Sequence, residues 1–274
     1  ARPTDARGAA AAAAAGGAAE QEELPIFPLG LVGVPGGNTD LHIFEARYRV
    51  LFATLLQGAE DLEEGLVDEK SPFAGTREFG LCFVPSENKM ATVGVRMRIK
   101  EHESMAEGRM NISCVGIDRF VVKEVLQQKP FMICKIERYA DSDAGEPGED
   151  LSTLAEETRD LTRNVLLLTA KLRKVNQFGE PPELPEELEE LGAEELSFWI
   201  AGLFDVPLEQ QALIEMGSTA ARLERQKSVL SSTLNRLVAQ SALASALSTD
   251  SPAGEEGGSG KEGGSGKEGG SGKE

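Results

Sequence analysis

Residues 24–49, LPIFPLGLVGVPGGNTDLHIFEARYR, decide how the rest of this 274-residue chain is read. Leu24–Leu29 is short and apolar and predicts a first strand. Leu41, Ile43 and Phe44 around His42 predict a second. The lone polar residue among apolar ones there reads as a rim or hydrogen-bonded core histidine. The period then changes. Tyr48, Leu51, Phe52, Leu55 and Leu56 share one face of a helix from Glu45 to Gln57. One helix set among strands predicts a plug on one side of a small barrel.

Downstream the pattern returns to strands. Phe79 to Val84 is apolar on both faces and predicts a buried strand. Val93, Val95, Met97 and Ile99 alternate with Gly94, Arg96, Arg98 and Lys100, the period of a half-buried strand. Glu107-Gly108 reads as a turn, after which Met110, Ile112 and Cys114 alternate again. Phe120 to Leu126 and Phe131 to Glu137 predict two more strands around Gln127–Pro130. Strands spaced this closely predict an antiparallel sheet or small barrel rather than βαβ units.

From about Asp150 the spacing is helical. Leu151, Leu154, Thr158, Leu161, Val165, Leu168, Leu172 and Val175 recur every three or four residues, with Ser152 as candidate N-cap. After a Pro-rich linker at 181–185, Leu196, Trp199, Ile200 and Leu203 mark a short helix. Pro207 opens another and Gly217 closes it. Leu223, Leu230, Leu234 and Leu237 mark a last, long helix. These four helices predict a small bundle. Their apolar stripes are narrow and lack flanking Trp or Lys, so they read as internal packing rather than a membrane or partner-helix face.

Four segments result. Residues 1–23 are an Ala-rich disordered leader that contains Arg, has Asp5 as its one acidic residue before Glu20 and starts without Met, a composition resembling a trimmed organellar transit peptide. Residues 24–140 form the strand half, 141–248 an acidic linker and helical bundle, and 249–274 a disordered tail ending in three GGSGKE repeats. The chloroplast stroma is the expected compartment, with mitochondrion or cytoplasm as alternatives.

The formal net charge is −18, and its placement is uneven. The strand half carries 14 basic and 16 acidic residues, whereas 141–250 carries 9 and 21. Such acidity argues against a nucleic-acid partner held through phosphates. No run approaches the roughly 20 apolar residues of a membrane span. Glu180–Glu195, EPPELPEELEELGAEE, reads as a solvated surface, or else as a docking face for a basic partner.

Signals for chemistry are missing. Gly260-Lys261 in the tail is followed by Glu262, where a P-loop needs Ser or Thr. No GxSxG elbow occurs, and Gly217-Ser218 has no adjacent base. Cys82, Cys114 and Cys134 form no CxxC pair, and the two histidines, His42 and His102, are far apart. The cysteines read as buried structural residues in a reducing compartment. His102, between Glu101 and Glu103, reads as solvated. No catalytic residues, metal, cofactor or small-molecule substrate are expected.

The opening run Leu24–Leu29, then Pro35-Gly36, Leu41–Glu45 and Arg47-Tyr48, resembles the opening signature of the Lon N-terminal domain family. Phe79-Gly80, Val93-Gly94 through Gly108-Arg109, Gly116 and Arg119-Phe120 resemble its later strands. LSFWIAGLFDVPL at 196–208 resembles its helices after the barrel. The similarity spans roughly 24–245. Gly33-Val34, the polar Asn38-Thr39-Asp40 and Ala46 depart from the family's pattern.

The resemblance implies an α+β fold: a PUA-like β pseudo-barrel with one plug helix, followed by a C-terminal helical bundle. It also implies a non-catalytic module that engages unfolded or client proteins through sheet edges and apolar grooves. Lon's ATPase and peptidase motifs are absent from the chain. Phe44, Arg47 and Tyr48 are the candidate protein-binding residues; alternatively they lock the helix onto the barrel. Three functions are in play: a client-recognition module of organellar protein quality control, an accessory or assembly subunit of a fixed organellar complex, and, weakest, RNA binding.

Overall fold

A computed structural model describes residues 21–63, 65–85, 89–145, 148–174 and 185–249. The predicted tail, most of the leader and most of the Pro-rich linker lie outside the described residues. The elements run β1 (Glu22–Leu29), β2 (Asn38–Ile43), α1 (Ala46–Leu55), β3 (Glu78–Phe83), β4 (Val93–Ser104), β5 (Met110–Gln127) and β6 (Met132–Arg138). The helices α2 (Glu149–Lys174), α3 (Glu187–Glu190), α4 (Ala193–Gly202), α5 (Pro207–Glu215) and α6 (Thr219–Thr249) follow.

The six strands form one sheet in the order β2-β5-β4-β3-β1-β6, and β5 also pairs with β6. That last pairing closes β5, β4, β3, β1 and β6 into a ring, with β2 attached outside it along the first half of β5. Most pairs are antiparallel, as expected. β1 and β3 pair in parallel, which the long Gly30–Arg77 connection makes possible. The strands predicted around Met110–Cys114 and Phe120–Leu126 are one continuous β5. Its first half serves β2, its second half serves β6, and β4 lies along both.

Alternation separates two cores. Ile26, Cys82, Phe120, Cys134 and Ile136 fill the ring. Phe120 fits because Gly80 and Gly94 leave room: a Cβ on either would lie 2.6 Å from its Cζ. Phe27, Phe79, Val95, Met97 and Ile99 point the other way, and α1 closes that side with Tyr48, Leu51, Phe52, Leu55 and Leu56. The edge-to-face cluster of Phe27, Phe52 and Phe79, with ring centroids 5.0–6.3 Å apart, anchors α1.

The helices pack beside the ring. Leu188, Leu196, Ile200, Ala155, Leu223 and Leu230 form a third core among α2, α3, α4 and α6. α5 leans on the barrel, where Gln211 Nε2 donates to the Val93 carbonyl at 3.0 Å. Three local expectations shift. α2 begins at Glu149, so Ser152 lies inside it and donates to the Gly148 carbonyl. α5 ends at Glu215 with Pro207 at its start, and Gly217 instead lies flat against Tyr139, whose hydroxyl leaves only 2.8 Å for a Cβ. His102 is half-buried rather than solvated, because the loop after α1 brings Asp61 within 2.8 Å of its Nε2.

Candidate functional site

The joint between ring and bundle rests on one buried carboxylate. Asp141 follows β6 and lies between two arginines, Arg119 of β5 and Arg222 of α6, each with an Nη2 at 2.5 Å from a carboxylate oxygen. Thr219 donates its hydroxyl to Asp141 at 2.6 Å. The guanidinium groups stack on Phe198 at 3.9 Å for Arg222 and 4.9 Å for Arg119. Arg119 also donates to the Ile214 and Met216 carbonyls at the end of α5. Burial drives the Asp141 carboxyl up. Hydrogen bonds from Arg222 and Thr219 and the charges of Arg222 and Arg119 outweigh that and hold it below the ordinary carboxylate range. β5, β6, α4, α5 and α6 are therefore fixed to one another.

A groove of about 880 Å³ opens above this joint. Its barrel wall is the 32–37 loop and the middle of β5. That loop is pinned by Gly36 N–H to the Gly116 carbonyl at 2.9 Å and Gly116 N–H to the Gly37 carbonyl at 3.0 Å. The approach is so close that a Cβ at 116 would sit 2.1 Å from the Val34 carbonyl oxygen, so only glycine fits. The next residue, Ile117, is 37 % exposed in the groove.

The bundle wall comes from α3 and α4. Leu196 and Ile200 of α4 are buried in the bundle core, and Trp199 and Leu203, at the margin of the same apolar side, line the opening. Leu203 is 42 % exposed. α3 is held down by Arg159, which donates from Nε to the Leu188 carbonyl at 2.8 Å and from Nη2 to the Leu191 carbonyl at 2.5 Å. Asp118, Glu187 and Glu194 line the same groove, making part of its border acidic. Apolar groups face each other across a fixed gap, with Asn38 and Thr39 of β2 at one end. β2 has no partner on its outer side among the described residues. Such a site fits an extended, partly apolar chain better than a reacting small molecule.

Reactive groups lie elsewhere. The three cysteines are buried and unpaired. Burial pushes the thiol of Cys114 up to about 12 and that of Cys134 to about 11, and drives Cys82 up further, so none is poised as a thiolate. Among the described residues no three His, Cys, Asp or Glu side chains are placed to hold a metal ion. A shallower depression of about 500 Å³ lies over β2, β5 and β4. There His42 Nδ1–H donates to Asn111 Oδ1 at 2.8 Å and Asn111 Nδ2 donates to Glu103 at 3.2 Å, a self-satisfied polar surface.

Of the predicted binding residues, Phe44 is 61 % exposed and stacks beside His42, with ring centroids 6.0 Å apart. Arg47 is exposed, pairs with Glu45 at 2.9 Å and covers the Tyr48 ring at 4.5 Å. Tyr48 is buried edge-on against Phe27 at 4.5 Å, where burial raises its hydroxyl pKa. The three meet at the β2–α1 junction, outside the groove. Ile117, Trp199 and Leu203 were not singled out as site residues by the sequence. Trp199 and Leu203 share the apolar stripe of Leu196 and Ile200, at i+3 and i+7 from Leu196, so the sequence carried no signal that they line an opening.

A ring of strands joined rigidly to a helix bundle, with an open apolar groove at the joint, is the build of a binding domain. The chain belongs to the Lon substrate-binding domain family: the family model described as the ATP-dependent protease La (LON) substrate-binding domain matches residues 23–232. The chain is similar to the solved N-terminal domain of the Mycobacterium avium complex Lon protease, at 14 % identity and a TM-score of 0.52, over 77 % of this chain and 98 % of that one. It is also similar to a Lon N-terminal domain protein from Xanthomonas campestris, at 20 % identity and a TM-score of 0.49, over 74 % of this chain and 96 % of that one.

Proposed function

We propose that the groove seats an extended segment of a client polypeptide, and that the chain acts without a catalytic step of its own as a recognition module in organellar protein quality control. The observation that carries this is the facing of Ile117 against Trp199 and Leu203 across a gap fixed by Asp141. Unfolded chains offer the apolar side chains that such a gap takes, while the free edge of β2 offers backbone pairing beside it. Phe44 and Arg47 supply a second, outlying contact; Tyr48 supports them from the core. The Ala-rich, Arg-containing leader supports the chloroplast stroma as the compartment.

A photo-crosslinking residue placed at Leu203, and at exposed Val125 as control, tests the site. The probe is a carboxymethylated protein that cannot refold. Saturable crosslinking at 203, competed by the unlabelled unfolded probe and not by its native form, is the expected result. Equal labelling at both positions, or none at 203, overturns the groove. Import of the chain into isolated chloroplasts, with and without residues 1–23, tests the compartment.

A further inference from the structure

The acidic run Glu180–Glu195 has two readings from sequence, a solvated surface or a docking face for a basic partner. Its described part brings Glu187, Glu194 and Glu195 onto the bundle wall of the groove, and the barrel wall carries Asp118. Only part of this charge is neutralised within the fold. Glu195 accepts the Gly192 N–H at 3.1 Å in the capping box that opens α4. Asp118 lies 3.3 Å from Arg96 Nε, but that arginine also serves Glu22 and Glu78, and the aspartate side chain stays 30 % exposed. Glu187 and Glu194 are exposed and form no ion pair among the described residues. Of the two arginines in the lining, Arg119 is taken up by Asp141, and Arg138 is the exposed one. Carboxylates therefore outnumber available cations, with one or more on each wall.

The apolar part of the groove is set by backbone geometry. Arg96 of β4 pairs with Asp118 and Met97 with Gly116, so Ile117 is the extra residue of a β-bulge. A bulge takes its side chain out of the sheet's alternation. This one leaves Ile117 in the groove with Trp199 and Leu203. In an extended chain, the neighbours of a residue that enters such a gap point out past the rim. Long basic side chains there can lie along apolar surface and still reach the carboxylates.

We propose that the groove selects client segments whose apolar residues are flanked by lysine or arginine, rather than apolar segments at large. This rests on the groove reading above and adds a charge requirement to it. Cations on either side of the entering residue meet Asp118 on one wall and Glu194 on the other. Acid-flanked segments set like charges together there and are rejected. A second copy of this chain, at net charge −18, fits less well, and a polyanion such as RNA fits least.

The test uses the full chain and three labelled extended peptides with the same valine and leucine positions, flanked by Lys, Gln or Glu. Fluorescence anisotropy is read at low and physiological salt. The Lys peptide binds roughly tenfold more tightly than the Gln peptide, the Glu peptide binds most weakly, and added salt narrows the spread. Asp118→Asn with Glu194→Lys removes the preference for Lys over Gln at an unchanged circular dichroism melt. Glu194→Gln alone gives a smaller loss, and Arg138→Gln, which removes the opposing cation, widens the preference. Glu60→Lys with Glu101→Lys, neither in the lining, leaves it in place. Leu203→Ser weakens all three peptides alike. Equal binding of the three peptides, still weakened by Leu203→Ser, overturns the charge requirement and leaves the groove reading standing. Binding that Leu203→Ser does not change overturns both. A preference moved as far by the Glu60 and Glu101 pair as by Asp118 and Glu194 also overturns the proposal, since net charge rather than the groove then attracts the peptide.

Discussion

The ring interior and the joint between ring and bundle are both buried, and they are filled by opposite means. Inside the ring, one large side chain, Phe120, is admitted because Gly80 and Gly94 have none. At the joint, a carboxylate is admitted because two guanidiniums and a hydroxyl surround it. The first arrangement depends on shape alone, and a neighbour can yield to relieve an error in it. The second depends on charge balance, and no neighbour can supply a missing anion. A given substitution should therefore cost more at the joint than in the ring.

Asp141→Ala is the strongest test. It leaves Arg119 and Arg222 buried, each without its counter-charge, and removing one partner of such a pair costs about 3–5 kcal/mol. Urea unfolding reads this as a large fall in midpoint at unchanged slope. A loss below about 1 kcal/mol, the range of an exposed pair, ends the contrast with the ring.

The same group sets an acid limit. Its folded carboxyl lies below the ordinary value, so its contribution is complete above about pH 4 and is lost as pH falls through the folded value. Asp143 is likewise held low: burial raises it, and hydrogen bonds from the Ala220 and Thr219 N–H groups outweigh that. Unfolding midpoints followed from neutral to strongly acid pH should decline only in this acid range. Asp141→Asn, already lacking the charge, should flatten part of the decline.

Gly80→Ala comes next. Its new methyl would meet Ile26 Cδ1 at 2.5 Å and Phe120 Cζ at 2.6 Å, the ends of side chains rather than backbone. Overpacking of this kind costs about 1–3 kcal/mol. Phe120→Leu in the Gly80→Ala background should return part of it, seen as a favourable coupling in a double-mutant cycle. If Phe120→Leu only adds to the loss, shape is not what Gly80 supplies.

This contrast also explains what could be read before the structure was known. The strands around Val93–Ile99 and Met110–Cys114 showed in their period of two, and α1 in its period of 3.6, because each buries one face against a continuous core. The parallel β1–β3 pair left no local mark, since pairing is chosen by partners and not by period. Arg119 was noticed only as part of a family motif, and Phe120 as that and as the start of a strand. Their reasons lie far off in the chain: Asp141 is 22 residues from Arg119, and Arg222 is 81 from Asp141. The groove was hidden for the same cause. Trp199 and Leu203 read as markers of a helix, and their exposure follows only from where Ile117 and the 32–37 loop come to stand. Phe44 lies exposed at the strand–helix junction, and Tyr48 beside it faces the core, the place its position on the apolar face of α1 indicated.

The smallest effect expected gives the comparison its cleanest control, because it uses the same residue type on the same helix. Arg225 lies one turn beyond Arg222 on α6 and pairs with Glu209 at 2.7 Å, with both side chains nearly half exposed. Water and counter-ions already solvate each partner there, so Arg225→Ala should cost about 0.5 kcal/mol or less and fade with added salt. Arg222→Ala should approach the loss seen for Asp141→Ala, since it uncovers that carboxylate within a fully buried site. Thermal melts of the two variants at low and high salt decide the matter. A salt-insensitive gap of several degrees between them assigns the difference to burial of the Asp141 site. Equal shifts would mean that the joint is held by packing around Phe198, with the charges contributing little.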